Sequence, residues 1–323
     1  MSMQVFAASN AEAALNLFAE DVRRGLTGRD HKSVPSTYLY DSVGSALFDA
    51  ITLLPEYGLT RADESLLRAH APQIAKRCGP DVFVAELGSG SGAKTRSVLK
   101  ALGPGPVPYY PIDVSPSALD RCVGELQRFA DVRTIQASYL EGLEQVLAER
   151  ERGQSMLLLF LGSTIGNFDR ASATAFLKQV RNAMFPGDHL LIGADLVKPV
   201  PVMLAAYDDP LGITAAFNRN LLARMNRELN ANFDLYGFHH EVRWCDREQR
   251  IEMHLRAQYA HVVQVPAAGI DVRFRSGETI WTESSHKFMP DELRSMAINA
   301  GFVDEACWID REWPFAECLW RAA

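Results

Sequence analysis

Val82-Phe-Val-Ala-Glu-Leu-Gly-Ser-Gly-Ser-Gly-Ala-Lys-Thr95 opens as a short apolar run, rich in branched and aromatic side chains, and then gives way to glycine. Such a run reads as a buried strand. Glu86 stands near its carboxyl end, and Gly88, Gly90 and Gly92 follow. Apolar spacing resumes at Val98, Leu99 and Leu102, which predicts a helix beginning near Ala93. Strand, glycine turn and helix form the ligand-binding corner of a doubly wound α/β sheet, where glycine lets the backbone approach a ligand closely.

The glycine spacing bears on which ligand. A dinucleotide fingerprint is G-x-G-x-x-G, whereas here the order is G-x-G-x-G with Ala93 next. The acidic-apolar-G-x-G-x-G form resembles motif I of S-adenosylmethionine-dependent methyltransferases. A glycine loop alone also fits an ordinary strand-to-helix turn. The following strand, Val107 to Asp113, adds weight. It ends in a carboxylate about 20 residues beyond the loop, where such folds bind ribose hydroxyls. Val114-Ser-Pro-Ser-Ala-Leu119 then starts a helix with Pro116 in its first turn. The pair of signals predicts nucleoside binding. A dinucleotide-dependent oxidoreductase and a non-catalytic nucleoside-binding protein stay open on these residues alone.

Composition narrows the classes. A chain of 323 residues with 47% hydrophobic and 23% charged content has ample material for a core, in one large domain or two ordinary ones. A net charge of −7 with no basic run argues against nucleic acid as partner. The apolar stretches are too short to span a bilayer, and the amino terminus, carrying Glu12, Glu20 and Asp21, is no secretory signal. Five cysteines without a C-x-x-C pair predict unpaired thiols and a cytoplasmic protein. The histidines show no metal-ligand spacing, so no metal site is expected, and the adjacent His239 and His240 read as exposed or core residues.

Taken in order, residues 11–26 have helical apolar spacing, and an aromatic-rich leader with Tyr38, Tyr40, Phe48 and Tyr57 follows. Residues 61–77 are helical by pattern. Strands are expected at 82–87, 107–112, 132–137, 155–161 and 189–195 with helices between, an alternation that calls for a parallel sheet with right-handed crossovers. Ser155-Met-Leu-Leu-Leu-Phe-Leu161 is apolar almost throughout, as a central strand should be. Beyond Val200 the alternation stops. A helical region at about 211–230 precedes four runs of strand character, and a helix with two closing strands ends the chain. Residues 201–287 therefore read as an insertion between strands five and six. The predicted domains are 61–200 plus 288–323 for a seven-stranded sheet, and 1–60 plus 201–287 for a smaller α/β domain facing the strand ends.

After strand four comes Gly162-Ser-Thr-Ile-Gly-Asn167-Phe168, at the edge where open α/β sheets hold ligands. Asn167 offers an amide that donates and accepts; the same residue type also serves as a turn former. Around it lie several specific segments: Tyr40-Asp-Ser-Val-Gly-Ser-Ala-Leu-Phe48, Leu54-Pro-Glu-Tyr57, Glu86-Leu-Gly-Ser-Gly90, Phe160 to Asn167, Tyr207-Asp-Asp209, Thr214-Ala-Ala-Phe-Asn-Arg-Asn220, Arg250-Ile-Glu-Met-His254 and Trp281-Thr-Glu-Ser-Ser-His-Lys-Phe288. In this order and spacing the chain resembles the histidine-specific methyltransferases of ergothioneine biosynthesis, the L-histidine Nα-methyltransferases, over nearly its full length.

The resemblance implies a Rossmann-like methyltransferase sheet plus a substrate domain, in a cytoplasmic monomer that uses S-adenosylmethionine, releases S-adenosylhomocysteine and needs no metal. The substrates implied are L-histidine and its mono- and dimethyl forms, trimethylated to hercynine, with no nucleic acid or membrane involved. Carried over by motif, Asn167 and Tyr207 hold the substrate carboxylate. Tyr40, the catalytic candidate, and Phe48 lie at the amine end. Tyr57, Met253, Glu283 and Ser285 surround the imidazole. Glu86, Gly88, Ser89, Gly90, Lys94 and Asp113 form the cofactor site. The family has Asp-Phe after strand three, where this chain has Ser138-Tyr139, so a hydroxyl replaces a carboxylate at the adenine position. Glutamate in a strand is most often a solvated charge. Glu283 and Ser285, two apart in an extended segment, share one face, which favours a pocket. A methyltransferase acting on another small amino acid or amine is the alternative.

Overall fold

A computed structural model describes the backbone of residues 2–28, 30–103 and 105–323, and the corresponding side chains from residue 12 onward. Its contacts divide the chain into two units, Met1–Tyr57 with Val200–Ser284, and Gly58–Pro199 with Ser285–Ala323. The chain begins with α1 (Ser2–Leu26), β1 (Lys32–Ser33), α2 (Ser42–Thr52) and α3 (Gly58–Cys78). The alternating region follows as β2 (Val82–Leu87), α4 (Arg96–Leu102), β3 (Val107–Asp113), α5 (Pro116–Leu126), β4 (Ala130–Val132), β5 (Ile135–Gln136), α6 (Tyr139–Ala148), β6 (Ser155–Phe160), α7 (Arg170–Ala183) and β7 (His189–Asp195). Next come α8 (Val200–Tyr207), α9 (Ile213–Glu228), β8 (Phe238–Cys245), β9 (Arg250–Ala257), β10 (His261–Val265), β11 (Ile270–Phe274) and β12 (Thr279–His286). The chain closes with α10 (Pro290–Ala300), β13 (Phe302–Ile309) and β14 (Phe315–Ala322).

In the second unit the strands run β13-β14-β7-β6-β2-β3-β4, with β5 also paired to β3. All pairs are parallel except those of β14, which is antiparallel to both β7 and β13. Side-chain alternation divides each central strand between the two faces of the sheet. Phe83, Ala85 and Leu87 of β2, with Met156, Leu158 and Phe160 of β6, enter one core. Val82 and Val84, with Leu157 and Leu159, enter the other. Both faces are covered, which is why these strands are apolar at nearly every position, Glu86 of β2 and Ser155 at the start of β6 excepted. From β2 the chain winds outward through β3 to β4 and β5, then returns to lay β6 on the opposite side of β2. The order reverses between β2 and β6, and a crevice at the carboxyl ends of such strands is where these sheets bind ligands.

The third strand differs from the single run expected at 132–137. It is broken into β4 and β5, which pair with the two halves of β3. Tyr109 O accepts from Arg133 N at 2.8 Å, while Ile112 O accepts from Gly88 N at 2.8 Å, so odd-numbered residues of β3 face β4 and β5. Pro111 is odd-numbered and has no N–H to donate, so the ladder is interrupted where the strand breaks. The expectation of five unpaired thiols also needs correction. The β13–β14 register sets Cys307 opposite Cys318, and the two are joined in a disulfide; Cys78, Cys122 and Cys245 are free.

The first unit holds a four-stranded sheet, β1-β12-β9-β8, and a β10–β11 hairpin, with α9 packed on β8, β9 and α2. No helix among the described residues is long and apolar enough to cross a membrane.

The turn after β2 gives a stability prediction. Gly92 has φ +69°, and a Cβ there would stand 2.7 Å from both Cys122 Sγ and Leu126 Cδ1; Gly90 has φ +54° but open space around it. Gly92→Ala therefore carries left-handed strain plus overpacking and should lose about 2–4 kcal/mol. Gly90→Ala carries the strain alone and should lose about 1–2 kcal/mol. Urea melts of both variants decide; equal losses would show that the Cys122 and Leu126 contacts do not matter.

Candidate active site

The glycine turn is held against β3 by its own backbone. Gly88 N and Ser89 N both donate to Ile112 O, and Gly90 N donates to Asp113 Oδ2 at 3.1 Å. The other carboxylate oxygen, Oδ1, takes Ser115 N at 2.9 Å. Asp113 is thereby fixed beside a turn whose Gly90 has nothing within 4 Å of a Cβ position. A bare backbone turn beside a carboxylate suits a nucleoside, because ribose hydroxyls are donors and the carboxylate accepts. A Cβ on Gly88 would come within 3.3 Å of the Tyr139 hydroxyl, so Tyr139 also borders the turn. Its ring meets Phe160 edge-on at 5.6 Å, and burial, then the Asp113 charge, push its phenol up to about 12. Ser138 N-caps α6 in a capping box, its hydroxyl donating to Glu141 at 2.6 Å. The structure thus brings Gly88, Ser89, Gly90, Asp113, Ser138 and Tyr139 to one end of the sheet.

Glu86 and Lys94 lie underneath and are engaged by protein. Glu86 is 2% exposed and accepts from Thr95 Oγ1 at 2.6 Å and Tyr109 OH at 2.5 Å. Burial outweighs these bonds and pushes its carboxyl up to about 7. Lys94 Nζ pairs with buried Asp63 at 2.6 Å; burial lowers the ammonium pKa, but the Asp63 charge, its hydrogen bond and the neighbouring acids together outweigh it and the net shift is upward. Asp63 Oδ2 also takes Gly162 N at 3.1 Å. Glu317 is fully buried beside Asp63, and burial followed by the Asp63 charge pushes its carboxyl well up. Sequence reasoning missed Asp63 and Glu317. The available signals were an acid on the apolar face of α3 and another inside the apolar run of β14.

The loop after β6 is pinned from several sides within the same unit. Gly162 has φ +70° and Ser163 φ +59°, and Ser163 Oγ accepts from Asp195 N at 2.9 Å. The His286 imidazole donates through Nδ1 to Gly166 O at 2.9 Å, and a Cβ on Gly166 would strike His286 O at 2.8 Å. Asn167 is thereby presented with its side chain exposed. Ser285 Oγ accepts from Lys287 Nζ at 2.9 Å, and Lys287 pairs with Asp195 at 2.8 Å. Asp195 also takes Lys198 Nζ at 2.5 Å and Trp313 Nε1 at 3.0 Å. One carboxylate facing two buried lysines leaves burial dominant at Lys198, whose ammonium is pushed down to about 8.

The remaining candidates lie in the first unit. Tyr40, Phe48, Tyr57 and Tyr207 form a continuous run of rings, with centroids 5.5, 6.2 and 6.1 Å apart in that order. Phe217 of α9 backs Tyr40 at 5.4 Å. The Tyr40 hydroxyl stands 3.5 Å from Glu283 Oε1, the far limit of a hydrogen bond. Glu283 is buried in β12, with its carbonyl accepting from Trp281 Nε1 at 2.9 Å. Met253 is 1% exposed in the neighbouring β9, where its carbonyl accepts from Thr282 Oγ1. Among the described residues no group of three or more His, Cys, Asp or Glu side chains could hold a metal ion.

Glu86 carries a pH prediction. Its folded-state pKa, about 7, exceeds the ordinary value of 4.5, so the folded protein binds the proton more tightly than the unfolded chain. This contribution to stability is fully present below 4.5 and is lost as pH rises towards 7. Its size is on the order of 3 kcal/mol. Glu86→Gln should remove it, so the stability difference between wild type and variant should shift across pH 4.5–7 and level off above. A difference that does not change with pH, measured by urea melts at several pH values, would show that Glu86 is ionised in the fold.

Residues 18–322 match the model of a family described as "Histidine-specific methyltransferase, SAM-dependent". Histidine N-alpha-methyltransferase from Mycobacterium tuberculosis is 43% identical over 93% of this chain and 93% of its own length. The enzyme of that name from Mycolicibacterium smegmatis is 41% identical over the same shares. Ergothioneine biosynthesis protein 1 of Schizosaccharomyces pombe is 31% identical over 83% of this chain, which spans 36% of that longer protein. The chain belongs to the S-adenosylmethionine-dependent, histidine-specific methyltransferases.

Proposed function

We infer that this protein transfers methyl groups from S-adenosylmethionine to the α-amino nitrogen of L-histidine, three in succession, to give hercynine for ergothioneine synthesis. The observation that carries this is the family match, which spans both units rather than the nucleotide-binding sheet alone. It takes in the segments with Tyr40, Met253 and Glu283 as well as the glycine turn. A cytoplasmic monomer follows from the same resemblance.

S-adenosylmethionine supplies an electrophilic methyl group on a sulfonium, so the protein's work is orientation and control of protons. Gly88 and Gly90 would receive the nucleoside, Asp113 its ribose hydroxyls and Lys94 its carboxylate. Ser138 and Tyr139 would border the adenine. The amine must reach the site with a free lone pair. Tyr40 would take its N–H, and water beside Tyr40 would carry the proton away. Asn167 is assigned to the substrate carboxylate as a neutral donor, and Tyr207 likewise.

A neutral imidazole offers one donor and one acceptor. Glu283 would take the ring N–H. Ser285 would serve the other nitrogen, and its bond from Lys287 supports that role: an ammonium has donors only, so Ser285 Oγ accepts there and its own proton is the one it donates. Phe48, Tyr57 and Met253 supply apolar walls.

Incubating the free amino acids with labelled S-adenosylmethionine, with mass spectrometry of the products, tests the assignment; no label on histidine would sink it. Histamine lacks the carboxylate and should be a very poor substrate. Glu283→Ala should lower kcat/KM for histidine by about 1.5–3 kcal/mol, the scale of a hydrogen bond to a charged group. Phenylalanine and tryptophan never use that bond and should lose far less. If all three fall by the same factor, Glu283 is structural.

A further inference from the structure

The segment Thr214-Ala-Ala-Phe-Asn-Arg-Asn220 is among the most specific in the sequence, yet none of its residues has a place in the chemistry above. It lies on α9, and Asn218 there is fully buried. A buried amide in a helix interior lowers helix propensity and costs desolvation, so its bonds define what it does.

Those bonds form a chain with one consistent orientation. Asn218 Nδ2 stands 3.1 Å from the His254 carbonyl and 2.9 Å from His240 Nδ1. A carbonyl only accepts, so the amide NH2 must face His254, and the same NH2 then faces His240. His240 Nδ1 is therefore the acceptor and bears no proton, and the ring proton sits on Nε2. Nε2 is 2.8 Å from the carbonyl of Tyr207, so it donates there. Tyr207 is the last residue of α8, where carbonyls are beyond the helical ladder, and His240 supplies a donor to its carbonyl. Burial pushes the His240 imidazole down, against the bond to Tyr207 and the charges of Asp208 and Asp209, and so keeps the ring neutral.

We propose that Asn218, acting through His240, is a positioning element that fixes the Tyr207 backbone and so aims the Tyr207 side chain at the substrate carboxylate. The proposal rests on the assignment of Tyr207 made above. Neither Asn218 nor His240 touches substrate; both act on where Tyr207 stands.

The test uses the intact enzyme with saturating S-adenosylmethionine. His240→Leu removes the donor, while His240→Gln keeps a neutral N–H at the Nε2 end. Leucine should raise KM for histidine about ten-fold or more with a smaller change in kcat, and glutamine should stay within about three-fold of wild type. S-adenosylhomocysteine affinity by calorimetry should move less than about two-fold in both, which a general loosening of the fold would not allow. Because His240 works through Tyr207, adding His240→Leu to Tyr207→Phe should raise KM by no more than about two-fold beyond Tyr207→Phe alone. Should His240→Leu lack a cooperative melt, Asn218→Ala enters the same comparison.

Multiplicative effects in the double variant, an unchanged KM in His240→Leu, or glutamine as damaging as leucine would overturn the proposal. If Tyr207→Phe itself leaves KM for histidine unchanged, the carboxylate assignment fails instead.

Discussion

A carboxylate can stay buried at the end of a central strand only if donors reach it or a proton neutralises it. Glu86 does both, with Thr95 at 2.6 Å, Tyr109 at 2.5 Å and a pKa pushed by burial to about 7. Its two partners come from the start of the helix after the glycine turn and from the adjacent strand β3. One side chain thus ties together the three pieces that form the cofactor corner. The turn cannot slide along the strand without stranding a buried acid, so Gly90 and Asp113 are held in register. Gly92 supports the same corner from below, where only a residue without Cβ fits between the chain and α5.

Buried charge continues through this unit in paired form. Asp63 takes Lys94 and the Gly162 N–H through Oδ2, with the buried Glu317 carboxyl, pushed well up by burial and by the Asp63 charge, beside it. Asp195 takes Lys198, Lys287 and the Trp313 N–H. Breaking such a pair strands an uncompensated ion, which costs far more than the pair gains over an apolar core. These clusters therefore read as devices of position rather than stability. Asp63 fixes the loop after β6 and Lys94 together; Asp195 fixes Lys287, which sets Ser285 as acceptor on that side.

Local patterns were legible in the sequence, and partnerships across the fold were not. The β2 run, the glycine turn, Asp113 and the apolar β6 announce themselves within a dozen residues each. The break between β4 and β5 depends on which side Pro111 faces, and that is known only once β3 has its neighbours. Cys307 and Cys318 looked unpaired because nothing in their spacing reveals the hairpin register that joins them. Asp63 and Glu317 meet from the first helix and last strand of their unit. His240 looked like one of two idle histidines, because its meaning lies in Asn218 and in the Tyr207 carbonyl. The aromatic leader and the Glu283–Ser285 spacing were visible in the sequence, but their roles came from the resemblance, and no periodicity singles out Met253.

The surroundings of Tyr40 differ from the ion-pair clusters of the second unit, and the proposed chemistry accounts for it. Around Tyr40 the packing is chiefly of rings, Phe48 at 5.5 Å and Phe217 at 5.4 Å, with the Glu283 carboxylate at the 3.5 Å limit of its hydroxyl and Asn220 holding the adjacent Asp41 at 2.7 Å. Asp41 itself is not offered to an amine, because it caps α2 through Gly44 N and pairs with Arg227. A carboxylate charge held against the amine would stabilise its ammonium form and tie up the lone pair that must attack. After the third transfer the nitrogen is a quaternary cation without an N–H, and no hydrogen-bond acceptor can follow it there. Aromatic faces can, since their quadrupole attracts such a cation without needing a proton. The amine end proposed at Tyr40 and Phe48 would thus suit a nitrogen that starts as a donor and finishes as a cation with nothing left to donate.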